Sequence, residues 1–442
     1  MDVAVQTTDG VDPLERETIK RVAWRLLPLL MVGYFCNYLD RVNVGMAATT
    51  MNQQLGFSNA VFGFGSGLFF FGCFLAAVPS NLILNKLGAR RWISRILMAW
   101  GILSGLTAFA WNDYSFYAVR FVLGLAEAGY FPGMVLFMTW WFPSLYRSRM
   151  MAIFYAAPLI SMIIGPPIGS LLLQLEGLAG LHGWQWLFIL EALPAVVLCL
   201  VFWQILTDRP ADAAWLRPEQ RAWLAGRLAA ERTQREEIRK YSLTETFYNA
   251  KVLLLTACNF GNNVTQFALV FFTPLIVKGL GVPTAMIGLV SAVPFLIAAL
   301  PTIWWGAHSD RTGERTWHVA GPFLLCSAAM AACILIGPSH PVWMMVALIL
   351  AVLGTWAGQP VFWSLPATLL TGAAAAGGIG MVNAVGLLGG LFGPWIFGLV
   401  KDASGSDNVA LLCLGLGSIV GAIAVITVGY ASRREALPRT AN

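Results

Sequence analysis

Twelve apolar runs, each long enough to cross a bilayer, fall near residues 25–50, 60–84, 92–111, 116–141, 150–175, 184–207, 251–278, 284–306, 317–337, 341–365, 373–400 and 408–431. No other feature of the chain limits its fold so tightly. About 20 apolar residues wound as a helix cross the hydrocarbon core. Inside lipid every backbone N–H and C=O must be satisfied within the protein, which makes helices the way through for runs of this kind. The fold class expected is an all-α membrane protein with twelve transmembrane helices. Only 11% of the 442 residues are Asp, Glu, Lys or Arg, against about a quarter in soluble domains, so a soluble fold is excluded. No apolar stretch of signal-peptide type precedes the first run, and no cleaved leader is expected.

The basic residues orient these helices. With both termini in the cytoplasm, 24 of the 28 Lys and Arg fall at the cytoplasmic face, Arg41 and Arg120 lie inside helices, and only Lys278 and Lys401 remain outside. That bias fixes topology and predicts a multi-pass protein of the plasma (inner) membrane. The expected organisation is a cytoplasmic N-terminal tail (1–23), a six-helix bundle (24–207), a cytoplasmic connector (208–250), a second six-helix bundle (251–432) and a C-terminal tail (433–442). Within the connector, Pro218 to Ala225 reads as a short amphipathic helix with proline near its start. The halves repeat: Asn85-Lys86-Leu87-Gly88-Ala89-Arg90-Arg91 after the second run answers Asp310-Arg311-Thr312-Gly313-Glu314-Arg315 after the eighth. Gly165-Pro166-Pro167 in the fifth is answered by Gly393-Pro394 in the eleventh. Two such repeats suggest a transporter whose site lies between them.

Ionisable residues at bilayer depth are costly and mark transport pathways. The first run contains two, Asp40 and Arg41. Tyr34, Asn37, Tyr38 and Arg41 recur at i, i+3, i+4 and i+7, one helical face, with Asp40 at its edge. This face is expected to wall a polar cavity that holds an anion on Arg41 and a proton on Asp40. A guanidinium suits a carboxylate because it donates two parallel hydrogen bonds and stays charged; Tyr38 and Asn37 add donors. In the fourth run Arg120 and Glu127 are seven residues apart on one face, about 10 Å at 1.5 Å per residue. Burial favours the neutral acid while a nearby Arg favours the carboxylate, the competition a proton carrier needs. The same residues also fit a static ion pair that locks helices together, and Arg41 also fits a salt bridge to Asp40 or Glu127. Glu191 in the sixth run fits a gate, packing or proton transfer. The second half has no deep charge. It offers Asn259, Asn262, Asn263 and Gln266 at i, i+3, i+4, i+7, with Gln359, Trp363 and Asn383 on later runs. These suit hydrogen bonds to a hydroxylated substrate, or bridges between helices.

Other classes find little support. The seven cysteines lie in apolar runs without CxxC spacing, so neither disulfides nor a metal is expected. There is no phosphate-binding loop, no HExxH, and no nucleophile–base set. No cofactor, no nucleic-acid partner and no enzymatic activity is expected.

D-R-x-G-x-R after the eighth run, with a close variant after the second, R-x-x-x-G in the fourth and G-P-x-x-G in the fifth resemble the signatures of the major facilitator superfamily. Finer strings are similar to its anion:cation symporter family of tartrate-, hexuronate- and galactonate-type permeases: Asn37 to Ala48, Val78 to Ile93, Arg120 to Gly133 and Gly183 to Glu191. The resemblance implies two pseudo-symmetric six-helix bundles working as a monomer. It implies that Asp40 and Glu127 carry protons, with Arg120 beside them, and that Arg41 anchors the substrate. It also implies that Gly88, Arg90, Asp310, Arg311, Gly313 and Arg315 serve conformational gating on the cytoplasmic side. Asn85 departs from the pattern, standing where the superfamily usually carries Asp. The function expected is import of a small organic anion, a hydroxylated carboxylate such as tartrate or a sugar acid, together with protons. The alternatives are proton-independent exchange or facilitated diffusion, and a membrane sensor that binds the anion without moving it.

Overall fold

A computed structural model describes residues 12–237, 248–337, 339–365 and 373–436. The outermost parts of the expected tails and connector residues 238–247 lie outside the described residues. Twelve helices have the length and composition to cross a membrane: Pro13–Leu55, Asn59–Leu87, Ala89–Phe109, Asp113–Trp141, Ser144–Leu173, Gly183–Ile205, Ala250–Gly279, Thr284–Thr312, Thr316–Ile336, Pro341–Phe362, Gly378–Ser404 and Asp407–Ala431. They are called the first to twelfth spans below, and they form two pseudo-symmetric six-helix bundles.

Local chemistry sets the ends of these helices. The first span starts well before its apolar run because Asp12 accepts the Leu14 N–H at 2.9 Å and Pro13 occupies the first helical position. Proline there sacrifices only a donor that would have been orphaned. The span stops where Gly56 turns left-handed at φ 69°. Ser58 then caps the second span. The amphipathic segment after the sixth span runs on to Glu237, longer than its first turns suggested.

Two spans that read as continuous are broken. The fourth divides into Asp113–Glu127 and Tyr130–Trp141, the fifth into Ser144–Phe154 and Ala156–Leu173. At the fourth-span break a Cβ on Gly129 would stand 1.7 Å from Ser80 Oγ, so the second span presses on the chain there. Gly165-Pro166-Pro167 does not end its helix. It provides close contact instead: a Cβ on Gly288 of the eighth span would stand 2.0 Å from the Pro166 carbonyl.

That contact is one of three seams between the halves. The fifth span packs on the eighth, the second on the eleventh, and the first on the seventh. Along the second seam Gly63 lies so near the eleventh-span backbone that a Cβ would be 2.1 Å from Pro394 O. Small residues at helix crossings let backbones approach in lipid, where packing replaces the hydrophobic effect as the force between helices. Beside this seam aromatic rings join the second span to the seventh, with Phe70 against Phe267 at 4.2 Å and Phe62 against Phe272 at 5.4 Å.

Candidate functional site

The middle of the first span carries the chemistry. Arg41 Nη2 donates to Glu127 Oε1 of the fourth span at 2.7 Å, and their side chains are 12% and 1% exposed. The fourth-span helix ends at Glu127, so this carboxylate occupies the last residue before the break. Rings collar the guanidinium: Tyr38 at 4.8 Å, Phe69 at 5.3 Å and Phe70 at 5.9 Å from its carbon. Phe70 also lies over Gly390 of the eleventh span and against Phe267 of the seventh. Arg41 is therefore one ring away from the opposite half.

Asp40 points elsewhere. It accepts a short hydrogen bond from Ser104 of the third span and makes no ion pair with Arg41. Adjacent residues on a helix point about 100° apart, so the two charges serve different neighbours. Arg120 departs from expectation. It forms no hydrogen bond to Glu127; all three guanidinium nitrogens lack a hydrogen-bond partner, its carbon stands 4.9 Å over the Phe69 ring, and it is 1% exposed. The charges acting on it most strongly are Asp40 first and Glu127 second. A separation near 10 Å along one helix is too long for a direct bond, so Glu127 is taken by an arginine from another helix while Arg120 sits between both acids. Glu191 is the third deep carboxylate; neither oxygen has a partner, and Asp40 is the charged group that bears on it.

The expected cavity face is only partly realised. Tyr34 packs among Phe154 at 4.4 Å, Phe131 at 5.5 Å and Tyr38. Asn37 is fully buried beside Glu127, with neither amide atom in hydrogen-bonding geometry. Tyr38 and Arg41 keep some exposure.

In the second half the amides tie helices to one another. Asn262 Nδ2 donates to Gln359 Oε1 of the tenth span at 2.8 Å, and Gln359 Nε2 donates to Asn259 Oδ1 at 3.4 Å. Asn259 and Asn263 reach the eleventh-span carbonyls of Val382 and Gly386 at 3.0 and 2.9 Å. Gln266 is buried one residue from Phe267, Trp363 meets Phe362 edge-to-face at 5.3 Å, and Asn383 is half-buried. The bridging alternative thus describes the hydrogen bonds of Asn259, Asn262, Asn263 and Gln359.

The loop motifs form local structures. Arg315 Nη1 holds Asp310 at 2.6 Å and Ser309 Oγ at 3.1 Å around a left-handed Gly313, while Arg311 is exposed. In the first half the exposed Asn85 leaves the equivalent place to Asp208, beyond the sixth span. Asp208 accepts the Arg90 N–H at 2.7 Å and lies against Gly88, where a Cβ would stand 2.6 Å from its carboxylate. Arg90 Nε meets Trp203 O at 2.5 Å. Asp208 and Ser104 carried no distinguishing pattern in sequence, since each acts through a helix distant in the chain. Among the described residues no cluster of His, Cys, Asp and Glu is arranged to hold a metal ion, and the seven cysteines are free.

Comparison with known proteins places this geometry in context. The sequence model of the Major Facilitator Superfamily matches residues 30–394. A protein of Agrobacterium vitis whose name proposes tartrate transport is 42% identical over 98% of this chain and 96% of its own. The inner membrane transport protein RhmT of Escherichia coli K12 is 35% identical over 93% and 95%. Among solved structures, a bacterial homolog of the human lysosomal transporter Spinster, inward-facing and occupied, superposes with a TM-score of 0.73 at 15% identity, covering 95% of this chain and 98% of its own. A D-xylose–proton symporter gives 0.67 at 14%, over 93% and 97%. These relatives are transporters rather than enzymes. The chain belongs to the major facilitator superfamily and is an integral, multi-pass membrane transporter of a small molecule.

Proposed function

We propose that this transporter is a proton-coupled symporter that imports a small hydroxylated carboxylate, tartrate or a related sugar acid, by rocking its two bundles (24–207 and 251–432) around a midplane site. One observation carries the reading: the buried Arg41–Glu127 pair at 2.7 Å, in which a carboxylate already occupies the guanidinium. A carboxylic substrate and a proton can trade for that contact. Protonating Glu127 removes its charge and frees Arg41; the substrate carboxylate then takes the guanidinium bidentately. Asp40, hydrogen-bonded by Ser104 and next to Arg120, is the second proton carrier. Arg120 steadies whichever of the two acids is charged. On release of the anion the proton leaves Glu127 and the ion pair re-forms. The two Agrobacterium vitis relatives named for tartrate support the substrate class, and the distribution of Lys and Arg supports cytoplasmic termini in an inner membrane.

Reconstituted protein given an inward proton gradient should accumulate tartrate above equilibrium and alkalinise the outer medium as it does so. Accumulation that survives an uncoupler would exclude proton coupling and leave exchange or facilitated diffusion.

A further inference from the structure

At the end of the molecule where the first span passes into the second, three polar contacts join the halves. The Gly288 N–H of the eighth span donates to Ser170 Oγ of the fifth at 2.7 Å, and two further contacts carry charge. In the two charged contacts the second half supplies the charge, and the first half meets it with backbone groups and the Asn59 amide. Asp402 of the eleventh span accepts Ala60 N–H at 2.8 Å, Asn59 N–H at 3.2 Å and the Asn59 side-chain amide at 2.7 Å. This is a helix cap, in which a carboxylate meets free N–H groups and the positive end of the dipole. The other contact is of a weaker kind. Lys278, in the last turn of the seventh span, donates to the Thr49 carbonyl of the first. A neutral carbonyl is a poorer partner for an ammonium than a carboxylate is.

No carboxylate stands within ion-pair distance of Lys278 among the described residues. The acids nearby are engaged: Asp402 in the cap, Asp407 with Lys401 at 2.7 Å, and Glu176 with His182 Nδ1 and the Gly183 N–H, both at 2.7 Å. Lys278 also lines a cleft of about 630 Å³ between the halves, with Thr49, Asn52, Gln53, Ser58 and Asn59 around it. Sites for small ligands occupy roughly 300–1,000 Å³. Ala48, Phe57, Leu275 and two glycines complete the wall. Amides and hydroxyls around one cation, with no acid in the lining, are the chemistry that receives a small hydroxylated carboxylate.

We propose that this cleft is an anion entry site and that Lys278 is its releasable latch. An incoming carboxylate takes the ammonium from the Thr49 carbonyl, and the end is then held by the Asp402 cap and the Gly288–Ser170 hydrogen bond, neither of which an anion contests. Capturing substrate and loosening the closed end become one event. The class of anion rests on the transport reading above; the existence of the site does not.

Two measurements on the full-length protein separate the two ideas. Gln53, exposed on the cleft wall, is replaced by cysteine. Its modification rates by an anionic and a cationic methanethiosulfonate are compared, with the chain lacking Gln53→Cys as background. With Lys278 present the anionic reagent is favoured. Lys278→Gln should lower the anionic-to-cationic ratio about fivefold at low salt, less at high salt, while Lys278→Arg keeps it. Tartrate uptake should show a several-fold higher half-saturation in Lys278→Gln with the maximal rate retained. An unmoved ratio overturns the site. A lowered ratio with unchanged half-saturation overturns the entry role and leaves Lys278 a closing contact alone. If the parent protein does not carry tartrate at all, the transport reading fails, and the labelling ratio still decides the cleft.

Discussion

In the first bundle five ionisable side chains, Asp40, Arg41, Arg120, Glu127 and Glu191, sit deep on three spans; in the second, comparable depth holds Asn259, Asn262, Asn263 and Gln266. The contrast extends to how these groups are satisfied. Asn37, Asn43, Arg120 and Glu191 leave every side-chain nitrogen or oxygen without a hydrogen bond, and Asp40, Arg41 and Glu127 each leave one fully buried atom unpaired. Across the pseudo-symmetry axis Asn259, Asn262 and Asn263 are bonded to the tenth or eleventh span, and among the four seventh-span amides only Asn262 Oδ1 is a fully buried atom without a partner. Buried polar groups without partners are costly, and in native proteins they mark places where another species is to arrive. A closed amide network rigidifies. One half therefore reads as the part that exchanges partners, the other as the frame it works against.

The largest effect is expected from Arg41→Gln. It removes the anion anchor of the proposed cycle and leaves Glu127 buried without its hydrogen-bonded counter-charge, and breaking a buried pair costs about 3–5 kcal/mol. Tartrate uptake should fall roughly 100- to 1000-fold in kcat/KM. Retained affinity would move the anion site to the amides of the second bundle and dissolve the contrast. Next in size, Glu127→Gln keeps an acceptor of the same shape for Arg41 while removing the charge that cycles. Gradient-driven accumulation should collapse to equilibrium while tartrate–tartrate exchange continues. Undiminished accumulation takes Glu127 out of the coupling.

A smaller effect distinguishes frame from site. Asn262→Ala strips the Gln359 oxygen of its donor at 2.8 Å, costing about 1–3 kcal/mol. The thermal midpoint in detergent should drop by several degrees, while half-saturation for tartrate moves by less than about threefold, as for a group outside the binding contacts. A tenfold rise in half-saturation would make the second bundle a partner in binding.

The twelve spans were legible because apolar length in lipid leaves the backbone no choice. The depth of Asp40, Arg41 and Glu127 was legible because a charge in such a run costs about 2.5–3.5 kcal/mol and is not there by accident. The pairing was left open: spacing allowed Glu127 either Arg120 or Arg41. Which guanidinium reaches the carboxylate depends on how the first and fourth spans cross, and Arg41 reaches it. The break after Glu127 was invisible for a similar reason: Ser80, on another helix, presses on Gly129. Asp208 and Asp402 read as ordinary loop and helix-end acids until folding carried them to helix N-termini more than 100 residues away in the chain.

The smallest effect concerns an acid of the second half that lies outside the spans, in the loop motif repeated between the halves. Burial would raise the Glu314 carboxyl, yet the N–H groups of Trp317 and His318 and the His318 ring, at 2.8, 3.1 and 2.8 Å, outweigh it and hold the group below its ordinary range. An acid depressed on folding contributes stability that is complete above its unfolded value, near 4.3, and is lost as pH falls through the lower folded value. The thermal midpoint should therefore slope downward below about pH 4.3, and Glu314→Gln should flatten part of that slope while leaving the midpoint's pH dependence above 6 unaltered. A slope that persists in full in Glu314→Gln would assign the acid sensitivity to other carboxylates that folding holds low, Asp402 at the seam between the halves among them, rather than to this loop motif.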